Sequence, residues 1–176
     1  VLGAGEFIVL EDGFSDDGDY ASLGFELKKH GGNLYLQGRA DHGGKLLDSV
    51  SYGIQAADYS LGRINESAWN LCVPSFGAAN EPVTLNSIDG LCINEWMSDG
   101  NFITPRSFIE LYNKTSRPIN FGGCYLSNST GSPMHHRVPE LSFIAAGDRI
   151  LFYADEKTQL GVDHLPFKLN TEMGII

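Results

Sequence analysis

Apolar and polar positions in this chain alternate residue by residue rather than with a helical period. Between residues 108 and 114, Ile109 and Leu111 alternate with Glu110 and Tyr112, and between 33 and 37, Leu34 and Leu36 alternate with Tyr35 and Gln37. Successive side chains of an extended chain point to opposite faces, so the pattern predicts half-buried β-strands. Candidate strands are 6–10, 23–29, 33–37, 46–52, 91–97, 108–114, 123–128, 149–154 and 164–169, each bounded by clusters of Gly, Asn, Asp or Ser that favour turns. No stretch carries a convincing helical pattern, and 21 glycines agree with a turn-rich, all-β protein. Two packed sheets follow more naturally than a closed barrel, although periodicity alone leaves the barrel open.

The strand pattern also repeats. Residues 1–34 lie over residues 143–176 without a gap, at a shift of 142, and "AGEFIVL" at 4–10 meets "AGDRILF" at 146–152. Seven positions are identical: Ala4, Gly5, Ile8, Leu23, Phe25, Leu27 and Gly32 fall on Ala146, Gly147, Ile150, Leu165, Phe167, Leu169 and Gly174. This reads as a tandem repeat, the other reading being two unrelated glycine-turn-strand units. The Pro-, Gly- and Asn-rich stretch 74–90 marks the boundary. The expected organisation is residues 1–80 as the C-terminal part of one unit, 81–90 as a linker, and 91–176 as the N-terminal part of the next.

Composition narrows the partners. With 42% apolar and 11% aromatic residues the chain can bury a core. Its net charge of −10 repels phosphate backbones and anionic membrane surfaces, and no basic stripe offsets it, so no nucleic-acid partner is expected. No apolar run approaches the ~20 residues of a membrane-spanning helix, and no signal-peptide pattern is present.

The order of motifs carries a resemblance. Ile93-Asn94-Glu95, then Ile109-Glu110-Leu111-Tyr112-Asn113, Gly123-Cys124-Tyr125-Leu126-Ser127, Ala146-Gly147-Asp148 and Phe167-Lys168-Leu169 follow one another as in the lamin-tail domain. Residues 1–80 resemble the other end of that domain, through Ala4-Gly5-Glu6, Phe25-Glu26-Leu27, 31–36, "DSVSYGIQAADYSLGR" at 48–63 and the closing 74–80. The resemblance implies an immunoglobulin-like β-sandwich, with Asn94, Glu95, Glu110, Tyr112, Asn113, Asp48, Ser60 and Arg63 as structural motif positions. Two departures stand out: Phe108 where the family often has Trp, and Cys124 where a Trp usually follows the glycine. The family's bacterial members resemble non-catalytic modules of exported or surface proteins, sometimes beside nucleases or hydrolases. The implied setting is therefore extracellular or cell-surface, in a bacterium, and the implied role a structural or adhesive scaffold. The alternative is an accessory domain of a secreted hydrolase or nuclease.

The search for chemistry agrees. No nucleophile elbow, zinc-protease helix or phosphate-binding glycine loop occurs, so no catalytic residue is assigned. His135-His136 sits between Pro133 and Pro139 without ligand spacing. Glu95 and Glu110 could form an acid/base pair, but a structural role holding Arg63 or backbone amides explains them without chemistry. "EDGFSDDGDY" at 11–20 offers oxygen ligands for calcium through Asp12, Asp16, Asp17 and Asp19, although the spacing is not that of an EF-hand and a solvated acidic loop explains it equally. No other cofactor is expected. Cys72, Cys92 and Cys124 leave one thiol over; Cys92 could pair with Cys124, or Cys72 with Cys92, or all could stay free. Asn65, Asn113 and Asn128 begin sequons. Trp69 or Trp96, if exposed, could carry a sugar, with core or edge packing as the other reading.

A boundary inside each repeat leaves both units short of strands. Residues 1–80 lack opening strands, and residues 91–176 lack those that 33–37 and 46–52 supply to the first block. Half-sandwiches expose sheet edges. The expected completion is by adjacent repeat units or by other copies of the chain, the latter building a head-to-tail filament through strand complementation.

Overall fold

The structure is a computed structural model that describes residues 2–14, 20–65, 68–98 and 107–169. In chain order its strands are β1 (Leu10–Glu11), β2 (Ala21–Ser22), β3 (Gly32–Gln37), β4 (Leu46–Tyr52), β5 (Ser60–Arg63), β6 (Trp69–Val73) and β7 (Glu81–Pro82). They continue as β8 (Leu91–Met97), β9 (Phe108–Asn113), β10 (Ile119–Asn120), β11 (Tyr125–Leu126), β12 (His136–Arg137), β13 (Phe143–Ile144) and β14 (Arg149–Tyr153). Short 3₁₀ turns occur, and no α-helix forms among the described residues. The chain is all-β.

Two compact units divide the chain, one of residues 1–29 with 58–83, the other of residues 30–57 with 84–176. These are not contiguous blocks. Residues 30–57, which the sequence groups with the first block, pack in the second unit, and Glu81–Pro82 of the expected linker is a strand paired with β6.

The second unit is organised around β9, whose alternation is realised. Ile109, Leu111 and Asn113 turn inward and are buried, while Phe108, Glu110 and Tyr112 face outward. β9 lies between β14 and β8, antiparallel to both, with Phe152 opposite Ile109 and Ile150 opposite Leu111. The core joins Ile109 and Leu111 to Ile119, Phe121, Phe152 and Phe167, and Ile54 joins the same core from the distant segment. The hairpin β3–β4 runs antiparallel from Gly32↔Tyr52 outward, with a register shift at Leu36/Gln37. Its base is half-buried, and its distal residues Tyr35, Leu36, Leu46 and Leu47 are exposed.

In the first unit β6 lies between β5 and β7, and Leu71 and Cys72 are buried. The neighbouring β5 carries Gly62 at a close approach, since a Cβ there would fall 2.7 Å from Cys72 Sγ. β5, β6 and β7 were absent from the sequence-based strands. Conversely, 23–29 and 164–169 form only isolated bridges, and 123–128 forms the two-residue β11. Pro166 removes a ladder donor from 164–169, which accounts for that stretch.

Backbone geometry recurs at the 142-residue shift. Gly5 and Gly147 both take the left-handed conformation, at φ 76° and 68°, closing turns in which Glu6 N–H reaches Gly3 O and Asp148 N–H reaches Ala145 O, each at 3.2 Å. A side chain with a Cβ is disfavoured in that conformation, which explains why glycine stands at both places. Glu11 pairs parallel with Ser22, as Tyr153 does with His164. Leu23 N–H donates to Glu11 O at 2.7 Å, and Leu165 N–H to Tyr153 O at 2.8 Å. One feature does not recur. β14 is laddered along its length to β9, whereas its counterpart at 7–11 is laddered among the described residues only at Leu10–Glu11, to β2.

Candidate functional site

The most built feature of the second unit is the seam where Gly53–Gln55 meets Pro139–Phe143. The Ile54 amide donates to Ser142 Oγ at 3.1 Å, Ser142 Oγ donates to Pro139 O at 2.7 Å, and the Phe143 amide donates back to Ile54 O at 2.8 Å. Gln55 Nε2 caps Gly53 O at 2.7 Å and Leu141 O at 3.2 Å. Leu141 sits at φ 54°, a conformation costly for a branched residue and held here by its neighbours. A Cβ on Gly53 would fall 2.0 Å from Ser142 Oγ, so only glycine lets the two backbones approach this closely. At the other end of the segment His30 Nδ1 lies 3.1 Å from the buried Asp163 carboxylate. Residues 30–57 are thereby pinned at both ends by side chains more than 80 positions away in sequence. Neither Ile54 nor Ser142 was singled out by sequence reasoning; the available signal was an apolar Ile54 directly after a glycine.

The expected motif positions divide between the units. Asn94 sits at the β8 bulge, where its Nδ2 donates to Glu110 Oε1 at 2.6 Å. Glu95 stands directly opposite Glu110, and Arg149 answers that paired charge, with its Nε 3.5 Å from Glu110 and its guanidinium 4.4 Å over the Tyr112 ring. Glu110 is thus held within its own sheet, and Arg63, in the first unit, stacks 4.8 Å over Trp69. Asn113 is fully buried. Its Nδ2 donates to Arg117 O at 2.8 Å and Ala145 O at 3.0 Å, and its Oδ1 accepts from the Thr115 amide and hydroxyl. That network leaves the Asn113 sequon no free amide. Asp48 Oδ1 accepts from the Ser49 amide, and Ser60 Oγ donates to Cys72 O at 3.4 Å.

Of the acidic loop, Asp16, Asp17 and Asp19 lie outside the described residues, and Asp12 is exposed. Among the described residues no group of three or more His, Cys, Asp or Glu gathers as a metal site. The Cys92–Cys124 pairing is not formed. All three cysteines are free thiols: Cys92 directs its Sγ at Tyr112 O, and Cys124 packs against the core, where burial pushes its thiol upward. Cys92 lies in β8, which pairs with β9, whereas Cys124 precedes β11, which pairs with β12. His135 stacks on Phe167 and His136 meets Phe152 edge-on, so both act as packing groups. Burial pushes His136 below the ordinary histidine value, against a backbone hydrogen bond to Val162. Trp96 is exposed on β8, and Trp69 is half-buried under Arg63.

A family model of the lamin tail domain matches residues 85–173. The chain belongs to the lamin tail domain family. No curated protein and no solved structure matches it. The fold is accordingly the immunoglobulin-like β-sandwich of lamin tail domains, a structural module. The matched span begins one residue after the second unit resumes at Thr84, and it excludes residues 30–57. The lamin tail unit of this chain therefore takes part of its core, Ile54, from sequence outside the matched domain. No helix among the described residues is long and apolar enough to cross a membrane.

Proposed function

We propose that this chain is a non-catalytic structural module of a tandem lamin-tail array on a secreted or cell-surface bacterial protein. In this reading neighbouring units close one another by donated strands, and copies assemble head to tail. The observation that carries the donation between units is the seam at Ile54, because a segment that belongs by motif order to one unit supplies Ile54 to the core of the next within one chain. The recurrence of turns and bridges at the 142-residue shift supports the tandem character. Acidic composition and the bacterial resemblance support the extracellular setting.

The test is the mass of the purified chain across a concentration series, by light scattering, with negative-stain images of the most concentrated sample. Growth into regular fibres is the expected result. A folded monomer at every concentration would overturn head-to-tail assembly and favour an accessory module beside a catalytic domain.

A further inference from the structure

The two parts of the chain that meet at the Ile54 seam are joined covalently by one short connection. Residues 30–57 pack with residues 84–176, yet their covalent neighbours Lys29 and Asp58 both belong to the first unit. Residues 1–83 are therefore one continuous piece that carries the segment as an insert, and residues 84–176 are the piece that receives it. The connection between donor and receiver is the stretch that follows Val83. Its near end is fixed in the first unit, where the Val83 amide donates to Leu71 O at 3.0 Å. Its far end is fixed in the second, where the Asn86 amide donates to Pro118 O at 2.8 Å and Asn86 bridges Ile119. Only Thr84 and Leu85 lie between these anchors.

That connectivity bears on which copy fills the core. The seam consists of the Ile54 amide on Ser142 Oγ, the Phe143 amide on Ile54 O, Gln55 Nε2 on Leu141 O, and His30 beside Asp163. Every one of these contacts is the same whether residues 84–176 belong to the same chain or to another, so exchange loses none of them. It also reroutes a single connection, because the junctions at 29/30 and 57/58 stay as they are. Identical elements traded between protomers are a low-cost route to oligomers, and a short hinge favours the trade because it leaves the closed form little freedom to adjust. Two residues make a short hinge. Where the trade is not reciprocal it propagates, since a chain whose segment fills a neighbour leaves its own residues 84–176 open to the segment of a third.

We propose that residues 30–57 of one copy fill the core of residues 84–176 of a second copy, with Thr84 and Leu85 as the hinge that opens. The partner is a second copy of this chain. This rests on the assembly reading above and names the donated strand, the core that takes it and the hinge. The closed monomer and the assembled form share one seam, so assembly replaces a contact within the chain by the same contact between chains.

The test asks whether the seam in the assembled protein joins one chain or two. Equal amounts of ordinary and heavy-nitrogen chains, both carrying benzoylphenylalanine in place of Gln55, are unfolded in urea, refolded together at high concentration, separated by size and illuminated. The Gln55 side chain reaches Leu141 O, so the photolinked peptides join residue 55 to the 139–143 stretch, and their masses report the labels. In the oligomer fraction these pairs should combine one ordinary with one heavy peptide as often as chance mixing allows, and in the monomer fraction not at all. If circular dichroism shows that this substitution prevents folding, the same label is placed at the exposed His30, which faces Asp163. A second variant carries Gly-Ser-Gly-Ser inserted between Thr84 and Leu85. A longer hinge relaxes the closed form, so this chain should stay monomeric at concentrations where the wild type assembles. Oligomers whose links join only peptides of one label, or assembly undiminished by the insertion, would show that this exchange is wrong while the assembly reading stands. If the wild type forms no oligomer, both fall.

Discussion

The Ile54 carbonyl accepts a 2.8 Å hydrogen bond from the Phe143 amide across 89 positions of sequence, and each of these residues buries its side chain beside that bond. A long-range backbone contact of this kind closes a large loop, so its entropic cost has to be offset by the apolar burial around it. Truncating Ile54 tests that balance. Ile54→Ala should destabilise the second unit by about 2–4 kcal/mol, the range for emptying a fully buried aliphatic site. Urea unfolding followed at Trp96 would check it; a midpoint equal to wild type would mean residues 30–57 contribute little to that core.

Gly53→Ala asks a sharper question of the same seam. Its new methyl would meet Ser142 Oγ at 2.0 Å and the carbonyls of Glu140 and Pro139 at 3.0 and 3.1 Å, and the two carbonyls are backbone that cannot rotate away. Overpacking of this kind costs about 1–3 kcal/mol. The expected signature is faster amide exchange at Ile54 and Phe143, with β5 and β6 unaffected because they lie in the other unit.

Four strands were legible in the sequence: 46–52 and 91–97 form at the bounds read from the pattern, and 108–114 and 149–154 differ by one residue. Burial alternates along β9 and along Arg149–Phe152 of β14, as half-buried ladders should, whereas β4 and β8 are mostly exposed and were marked by their apolar runs between turn residues. What escaped was tertiary. Leu71 and Cys72 in β6 are adjacent and both buried, which breaks the period, and the Pro82 strand reads as a linker because proline there pairs only on its carbonyl side. The seam was hidden for another reason. Nothing local in Tyr52-Gly53-Ile54 says which of two similar units its side chain will enter, because both offer the same kind of apolar face.

Asn113 is the buried polar centre of the turn between β9 and β10. Asn113→Ala would strip its acceptor from the Thr115 amide, while the carbonyls of Arg117 and Ala145 would keep only the Thr115 hydroxyl at 2.9 Å and the Asp148 amide at 3.2 Å. Groups left unsatisfied in a buried site cost about 1–3 kcal/mol each. Asn113→Asp should be worse than this despite its equal size, since a carboxylate would face two carbonyl oxygens with no proton to give. Thermal melts of both variants at neutral pH would check the order, and Asp melting above Ala would contradict this account.

Acid should act in two separate windows. His136 Nε2 is buried without a partner among the described residues, and burial holds its proton affinity below the ordinary histidine value, with the charge of His135 adding to the effect. As pH falls from neutral, the unfolded chain takes up this proton before the folded one does, so stability declines from the ordinary histidine value down to the lowered one. Asp155 behaves oppositely in origin. Burial alone would raise its carboxyl, but the His164 ring at 2.9 Å and the Lys157 amide at 3.1 Å outweigh it and hold it below the usual carboxylate range. Its contribution is full above that range and disappears only as pH drops through the lowered value. Urea midpoints from about pH 7 to about pH 3 should therefore fall in two steps, the first weakened in His136→Phe and the second in Asp155→Asn. A first step that persists unchanged in His136→Phe would overturn its assignment to this residue.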